Sequence, residues 1–134
     1  MRKADARRMR RDEGSTGRGT DLPAGAENRL PLDLSGGQVA SVAFLSKSLS
    51  DENRLRILIC VSNGRKSVSA IGEELGLSQP LVSHHLKELK RGLLLTVERA
   101  GPFIYYELSD RRILDVIRTL SYVARDLLTA RKTF

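Results

Sequence analysis

Two short helical patterns joined by a very short turn constrain the fold of this chain most. The stretch SVSAIGEELG at 67–76 predicts a helix that Ser69 caps and Gly76 ends in a tight turn. Ser78 then caps a second helix, so that only Gly-Leu-Ser separates the two. This spacing predicts a helix-turn-helix motif.

The second helix of the motif, residues 78–91, has one apolar side. Val82, Leu86 and Leu89 recur at steps of four and three residues, which is typical of a buried helical stripe. Pro80 is compatible with this helix because it lies in the first turn, where its missing N–H breaks no hydrogen bond. We therefore expect the other side of this helix to face away from the core.

The periodicity changes directly after the motif. The stretch LLTVERAGPFIYYEL at 94–108 alternates apolar and polar residues on both sides of a break at 100–102. Such a pattern predicts a strand, a tight turn and a second strand. A hairpin that follows a helix-turn-helix indicates a winged helix.

Two more helices are predicted before the motif. The first covers 37–49. Ser50 is expected to cap the second, with Asp51 and Glu52 in its first turn, and Gly64 ends it. Their apolar faces consist of Val39, Val42, Ala43, Ser46 and Leu49 in the first helix, and of Leu55, Leu58, Ile59 and Val61 in the second.

The chain closes with a long helix at 111–131, capped by Ser109 and Asp110. Its apolar stripe steps by four and three residues and is broadened by Leu114, Val116, Val123 and Leu128. One interpretation is that the stripe packs on the chain's own core. A stripe this wide needs more cover than a small domain supplies, so we expect a second copy of the chain to share it. The predicted homodimer interface consists of Val39, Val42, Leu49, Ile113, Ile117, Leu120, Ala124 and Leu127.

The charge balance favours a polyanionic partner. The chain carries a net charge of +7, and residues 51–134 alone contribute +4, so the excess is not confined to the tail. Residues 1–35 are rich in Arg and Gly without an apolar period and predict a disordered basic tail, whereas 36–132 form the folded domain. The lone Cys60 and the lack of an 18-residue apolar run indicate a cytoplasmic protein without a membrane span.

The two adjacent histidines of the second motif helix do not indicate a metal or catalytic site. Successive helical residues point about 100° apart, whereas chelating pairs are spaced i, i+4. His85 lies beside the apolar stripe and is expected to pack or to touch a phosphate. The exposed side then carries Gln79, Ser83, His84 and Lys87, which suit base edges and phosphates in a major groove.

The region from about residue 40 to 130 resembles the ArsR/SmtB family of small winged-helix repressors. The most specific part is LSQPLVSHHLKEL, and IYYELSD at the end of the hairpin is typical too. The resemblance implies a homodimer, formed through the first and last helices, that binds an imperfectly palindromic double-stranded DNA operator and releases it when an effector binds. It also implies a major-groove role for 78–91 and phosphate contacts by Arg99 and, less directly, by Arg65 and Lys66.

The chain departs from the family at the effector sites. Ser67-Val68-Ser69 replaces the CVC of arsenic- and cadmium-type members, and hydroxyls are poor ligands for thiophilic metals. The last helix has no histidine and only Asp115 and Asp126 as carboxylates, and one cysteine cannot serve as a persulfide pair. We therefore expect no metal site, no cofactor and an effector of unknown, non-metal type. A second departure is RGLLL at 91–95, where many members have AGLV.

The leading interpretation is a sequence-specific DNA-binding transcriptional regulator, a homodimeric repressor with a mainly α winged helix-turn-helix fold and a small β-hairpin. The alternative is a winged-helix module that binds a protein without specific DNA binding. An enzyme is not expected, because paired nucleophiles, bases and metal ligands are lacking. The stretch LSGGQ at 34–38 matches the signature of ABC ATPases, but without a phosphate loop the match is interpreted as chance.

Overall fold

The computed structural model describes residues 32–131, which confirm the predicted order of elements. Four helices precede a two-stranded antiparallel sheet, and a long helix follows it. The predicted tail lies outside the described residues for its first 31 positions. The elements are α1 (Gly36–Ser48), α2 (Glu52–Val61), α3 (Val68–Leu75), α4 (Gln79–Arg91), β1 (Leu95–Ala100), β2 (Phe103–Leu108) and α5 (Arg112–Arg131).

The LSGGQ stretch is a helix start. Ser35 Oγ accepts a hydrogen bond from the backbone N–H of Gln38 at 3.3 Å, and the backbone N–H of Ser35 donates to Gln38 Oε1 at 2.9 Å. This reciprocal pair is a capping box, which satisfies two amide donors at the beginning of α1.

Two predicted caps were wrong by one or two residues. Asp51, not Ser50, caps α2, since its Oδ1 accepts from the Arg54 amide at 3.0 Å. Ser67, not Ser69, caps α3 through the Ala70 amide at 3.2 Å. The prediction for Ser78 is confirmed, because its hydroxyl accepts from the Leu81 amide and begins α4.

The core is aliphatic and lies between α2, α3, α4 and the start of β1. The predicted stripe of α4 is confirmed in full, but the buried face of α2 is rotated from the predicted one. Ile57 is fully buried and Ile59 is exposed, so the choice between these two isoleucines was wrong. The buried apolar residues are Ile57, Leu58, Cys60, Val61, Ile71, Val82, Leu86, Leu89, Leu94 and Leu95.

The wing is a tight hairpin that is tied back to the motif. Ala100 pairs with Phe103, which leaves Gly101 and Pro102 as a two-residue turn. Gly101 has a φ of 65°, and a positive φ at the first turn position followed by proline fits a type II′ turn. Lys66 exchanges both backbone hydrogen bonds with Tyr106, at 2.9 and 2.8 Å, and so joins the segment before α3 to β2.

Helix α4 ends in a left-handed residue that is a leucine. Leu93 has a φ of 66°, while the Leu93 and Leu94 amides donate to the carbonyls of Lys90 and Leu89. These bonds form a Schellman motif, which normally places glycine at the left-handed position. A side chain there costs about 1–2 kcal/mol. Gly92 has an ordinary φ of −81°, but a Cβ on it would lie 2.1 Å from Ser48 Oγ, so it serves close packing instead.

Gly72 sets the distance between α3 and the turn of the motif. A Cβ on Gly72 would lie 2.9 Å from the backbone oxygen of Leu77, whose amide already donates to the Gly72 carbonyl at 3.0 Å. We expect Gly72→Ala to lower the free energy of unfolding by about 1–3 kcal/mol, because a backbone atom must move. Urea unfolding measures this change. Gly37→Ala is the control variant, since its Cβ would meet nothing within 4 Å. Equal midpoints for the two variants would contradict the argument.

Candidate nucleic-acid interface

The packing of α4 separates its residues into a buried and an exposed side. Val82, His85, Leu86 and Leu89 are buried against the core. At about 100° per residue, the predicted contacts all lie in the remaining sector of the helix. The structure therefore brings together, on one exposed surface, Gln79, Ser83, His84 and Lys87.

Gln79 has a second role within the motif. Its Nε2 donates to Ser69 Oγ at 3.0 Å and so ties the start of α4 to α3. Ser67 and Ser69, which stand where some relatives of the predicted family carry cysteines, are a helix cap and the acceptor of this bond. Both hydroxyls thus have structural partners, and the amide of Gln79 is oriented by the first helix of the motif.

The two histidines differ in their surroundings. His84 is exposed, whereas His85 is only 6% exposed, with its Nε2 3.9 Å from Asp51 Oδ1. Nδ1 of His85 is buried and has no hydrogen-bond partner among the described residues. Of the two roles predicted for His85, packing against the core fits this buried position better than contact with a phosphate. His84 is the histidine available to a ligand.

Arg65 is held by the wing. Its guanidinium lies 2.6 Å from Glu98 Oε1 and 4.7 Å from the centre of the Tyr105 ring. The hydrogen bond and charge of Glu98 raise the pKa of Arg65, and Arg65 lowers the pKa of Glu98 in return. A phosphate would have to compete with this carboxylate, so Arg65 is less available than its sequence position indicates.

Lys66 is engaged in a similar way by a carboxylate of α3. Its Nζ donates to Glu74 Oε2 at 2.6 Å and lies 3.7 Å from the sulfur of Cys60. The bond to Glu74 raises the pKa of Lys66, while burial raises the pKa of the Cys60 thiol. The thiol therefore stays protonated at neutral pH, which makes it a weak nucleophile.

Among the exposed cations of α4 and the wing within residues 32–131, three have no acidic partner. Lys87 and Arg99 are exposed, as predicted for phosphate contacts, and Lys90 joins them on the exposed sector of α4. Sequence reasoning missed Lys90, although its spacing of i+3 from Lys87 could have identified it. Arg91 is the exception in this turn, since it pairs with Glu88 at 2.7 Å.

The carboxylates of α5 are paired with arginines of the same helix. Asp115 lies 3.0 Å from Arg118, and Asp126 lies 3.4 Å from Arg125. Within the part of the chain that the structure describes, no three His, Cys, Asp or Glu side chains come together as a metal-binding group.

The outer helices expose a large apolar surface. Neither α1 nor α5 has a buried residue in the described protomer. Of the predicted interface, Leu49, Ile113 and Ile117 pack partly against the protomer's own core. The residues left exposed are Val39, Val42, Leu120, Ala124 and Leu127.

Comparison with known proteins identifies the family. The sequence profile of bacterial regulatory proteins of the arsR family matches residues 51–92. The transcriptional repressor SdpR of Bacillus subtilis is 37% identical over 53% of this chain and 79% of that protein. The regulator NmtR of Mycobacterium tuberculosis is 32% identical over 75% of this chain and 83% of that protein. The chain belongs to the ArsR family of bacterial transcriptional regulators.

Solved structures agree with this assignment to the ArsR family. The homodimeric winged helix-turn-helix DNA-binding domain of a possible ArsR-family regulator from Mycobacterium bovis has a TM-score of 0.61 and 26% identity, over 72% of this chain and 92% of that one. The winged helix-turn-helix prediction is thereby confirmed. None of the helices between residues 32 and 131 combines the length and the hydropathy that a membrane span requires.

The difference in burial between His84 and His85 of this ArsR-family chain leads to a prediction about stability. We expect His85→Leu to change the free energy of unfolding by less than about 1 kcal/mol, because it removes a buried nitrogen without a partner while keeping similar volume. DNA binding should be unchanged. Urea unfolding and a DNA-binding titration measure both effects. A loss of DNA binding in a folded His85→Leu variant would show that the buried histidine, and not only His84, serves the interface.

Proposed function

We propose that this ArsR-family chain is a cytoplasmic homodimeric repressor that reads a two-fold symmetric DNA operator. The observation that carries the proposal is the exposed side of α4, where Ser83, His84 and Lys87 lie together with no bonds to other parts of the described protomer. A side chain that is held at the surface without a partner can bond to a ligand at little cost. SdpR, whose name describes a repressor, supports the direction of regulation.

The exposed residues divide into two groups by chemistry. Ser83 and His84 carry short donors and acceptors suited to base edges, and Gln79 is oriented beside them. Lys87, Lys90 and Arg99 are unpaired cations suited to phosphates, which supply affinity through the release of counterions. In a two-fold symmetric dimer, the two α4 helices would enter successive major grooves about one helical turn apart.

The effector in this proposal is not a metal ion. Ser67 and Ser69 are engaged in structural hydrogen bonds, and the carboxylates of α5 pair with arginines. An effector would act by changing the angle between the two winged domains, which the apolar faces of α1 and α5 would transmit. Cys60 is a poor redox candidate, since its thiol is buried and its pKa is raised.

Salt dependence tests the role of the unpaired cations. Binding of the purified protein to the DNA upstream of its own gene is expected to weaken steeply with salt. Lys87→Gln should weaken binding to all sequences and reduce the slope of log affinity against log salt by about two, one for each protomer. Lys47→Gln, an exposed lysine on α1, is the matched control and should change neither. Equal slopes for the wild type and Lys87→Gln would remove Lys87 from the interface.

The alternative function is protein binding by the winged helix. In that case the affinity for DNA would be weak, equal for all sequences and insensitive to Lys87→Gln. Exposed apolar residues on the wing, such as Phe103, are compatible with a protein partner. The unpaired cations of α4 favour DNA.

A further inference from the structure

We propose that the corner between α4 and β1 makes a second contact with the partner protomer, outside the seam of α5. The corner patch consists of Leu93 and three residues of α1, namely Ala40, Phe44 and Leu45. The proposal rests on the homodimer proposed above, and it adds a surface around Leu93, which stands at a left-handed position.

In a single protomer, both the backbone conformation and the exposure of Leu93 are energetically unfavourable. Its φ of 66° is a conformation that disfavours a Cβ, and its side chain is 66% exposed to water. A glycine would remove the strain and expose no apolar surface. Strained residues persist where the surroundings use them, so the position points to a contact that the isolated protomer does not make.

The neighbours of Leu93 are apolar and open as well. Leu93 lines a cleft of about 460 Å³ together with Ala40, Ser41, Phe44 and Leu45. Phe44 and Leu45 are both exposed large hydrophobic residues. The lining contains no charged side chain, so the cleft suits an apolar protein surface and not a nucleic acid.

Helix α1 has apolar residues on all sides, not on one stripe. At about 100° per residue, Val39 and Phe44 point in directions about 140° apart, and Val42 and Leu45 fill the opposite side. Apolar residues that are not confined to one stripe need cover on more than one side of a helix. One seam with α5 would cover only one side of α1, so the side that carries the corner patch needs cover of its own.

The corner patch is continuous with the predicted dimer surface. A neighbouring cleft of about 640 Å³ is lined by Leu45, Leu93, Leu94, Ile113 and Val116, and also by the polar residues Ser109, Asp110 and Arg112. Leu45 lines a further cleft whose other apolar residues include Val42, Ile113 and Val116, so apolar side chains continue from Leu93 across α1 to α5 beside these polar groups. A second copy that packs on α5 is already in place to cover this surface, which is why we assign the patch to the partner protomer.

Two substitutions at Leu93 test the proposal in the full chain. Leu93→Ala removes the contact but keeps the strained Cβ, whereas Leu93→Gly removes both. We expect each variant to raise the dimer dissociation constant by about tenfold, measured by sedimentation equilibrium over a dilution series. Leu93→Gly should melt at a higher temperature than Leu93→Ala at equal protein concentration, because it is free of the strain. Ile59→Ala, an exposed aliphatic residue on α2, is the control and should leave the dimer unchanged.

The outcomes separate this proposal from the one on which it rests. A wild type that is monomeric at all concentrations would overturn both the homodimer and the corner contact. A dimeric wild type whose dissociation constant is the same in both Leu93 variants would overturn the corner contact alone and leave the patch to a small apolar ligand. Weaker dimers in both variants, with Ile59→Ala unchanged, would support the proposal.

Discussion

Replacing Leu120 with glutamate is expected to separate the dimer and to lower affinity for operator DNA by about a hundredfold or more. Leu120 lies at the middle of α5 and is 52% exposed in the protomer. Burying a carboxylate against the partner's apolar face would be costly. A separated protomer binds only one half-site. It loses the gain in affinity that comes from linking two binding sites, which is on the order of a hundredfold or more.

The protomer itself should survive this change. Leu120 is outside the core, and glutamate is a good helix former, so the circular dichroism of the variant should match that of the wild type. Thr129→Glu places the same charge on the opposite side of α5 and is the control. Sedimentation and DNA titration measure the two effects. An unaltered dimer in Leu120→Glu would show that α5 does not form the interface.

The double variant Ser83→Ala, His84→Ala is expected to lose most of its sequence preference. Each lost base contact costs about 1–3 kcal/mol, and each occurs twice in a dimer, so specific affinity should fall at least about a hundredfold. Affinity for unrelated DNA should change little, because Lys87, Lys90 and Arg99 remain. Competition titrations against unrelated duplex DNA measure this ratio.

A matched double variant controls for the number and type of substitutions. Ser121→Ala with His85→Leu changes one serine and one histidine that lie away from the exposed side of α4. We expect it to keep its sequence preference. If both double variants stayed folded and lost preference equally, the loss would not be specific to the exposed side of α4, and the assignment of base contacts to Ser83 and His84 would be contradicted.

The helix-turn-helix was predictable because its signals are local. The stripe of Val82, Leu86 and Leu89 and the cap at Ser78 lie within one helix, and each is set by spacing alone. The exposed sector follows directly from the buried one. The candidate DNA surface of α4 could therefore be assembled from the sequence before any tertiary contact was known.

Features that depend on the exact geometry of the folded chain, whether local or between distant segments, could not be predicted. Both Ser50 and Asp51 have suitable capping side chains, and only the first helical turn decides which of them reaches a free amide. The ion pairs of Arg65 with Glu98 and of Lys66 with Glu74 join separate elements. Sequence spacing does not reveal such pairs, so the two cations seemed more available than they are.

On α1 and α5, too, the sequence pattern could not distinguish residues of the dimer interface from residues that pack within the protomer. Periodicity places Leu49, Ile113 and Ile117 on the seam, but these residues lie at the ends of the outer helices that rest on the core. Some residues of the predicted interface therefore contact the protomer's own core, whereas others, such as Leu120 and Leu127, are exposed. A repeat of apolar residues cannot distinguish these two kinds of burial, because the side chains are the same.

The central claim is that two copies of the exposed α4 surface read a symmetric DNA sequence. The most direct test is selection of bound duplexes from a random-sequence pool by the purified full-length protein, followed by sequencing. The account predicts enrichment of two inverted half-sites spaced by about one helical turn, and loss of this enrichment in the Ser83→Ala, His84→Ala variant. No enrichment by the wild type, or an identical enriched motif in the variant, would contradict it.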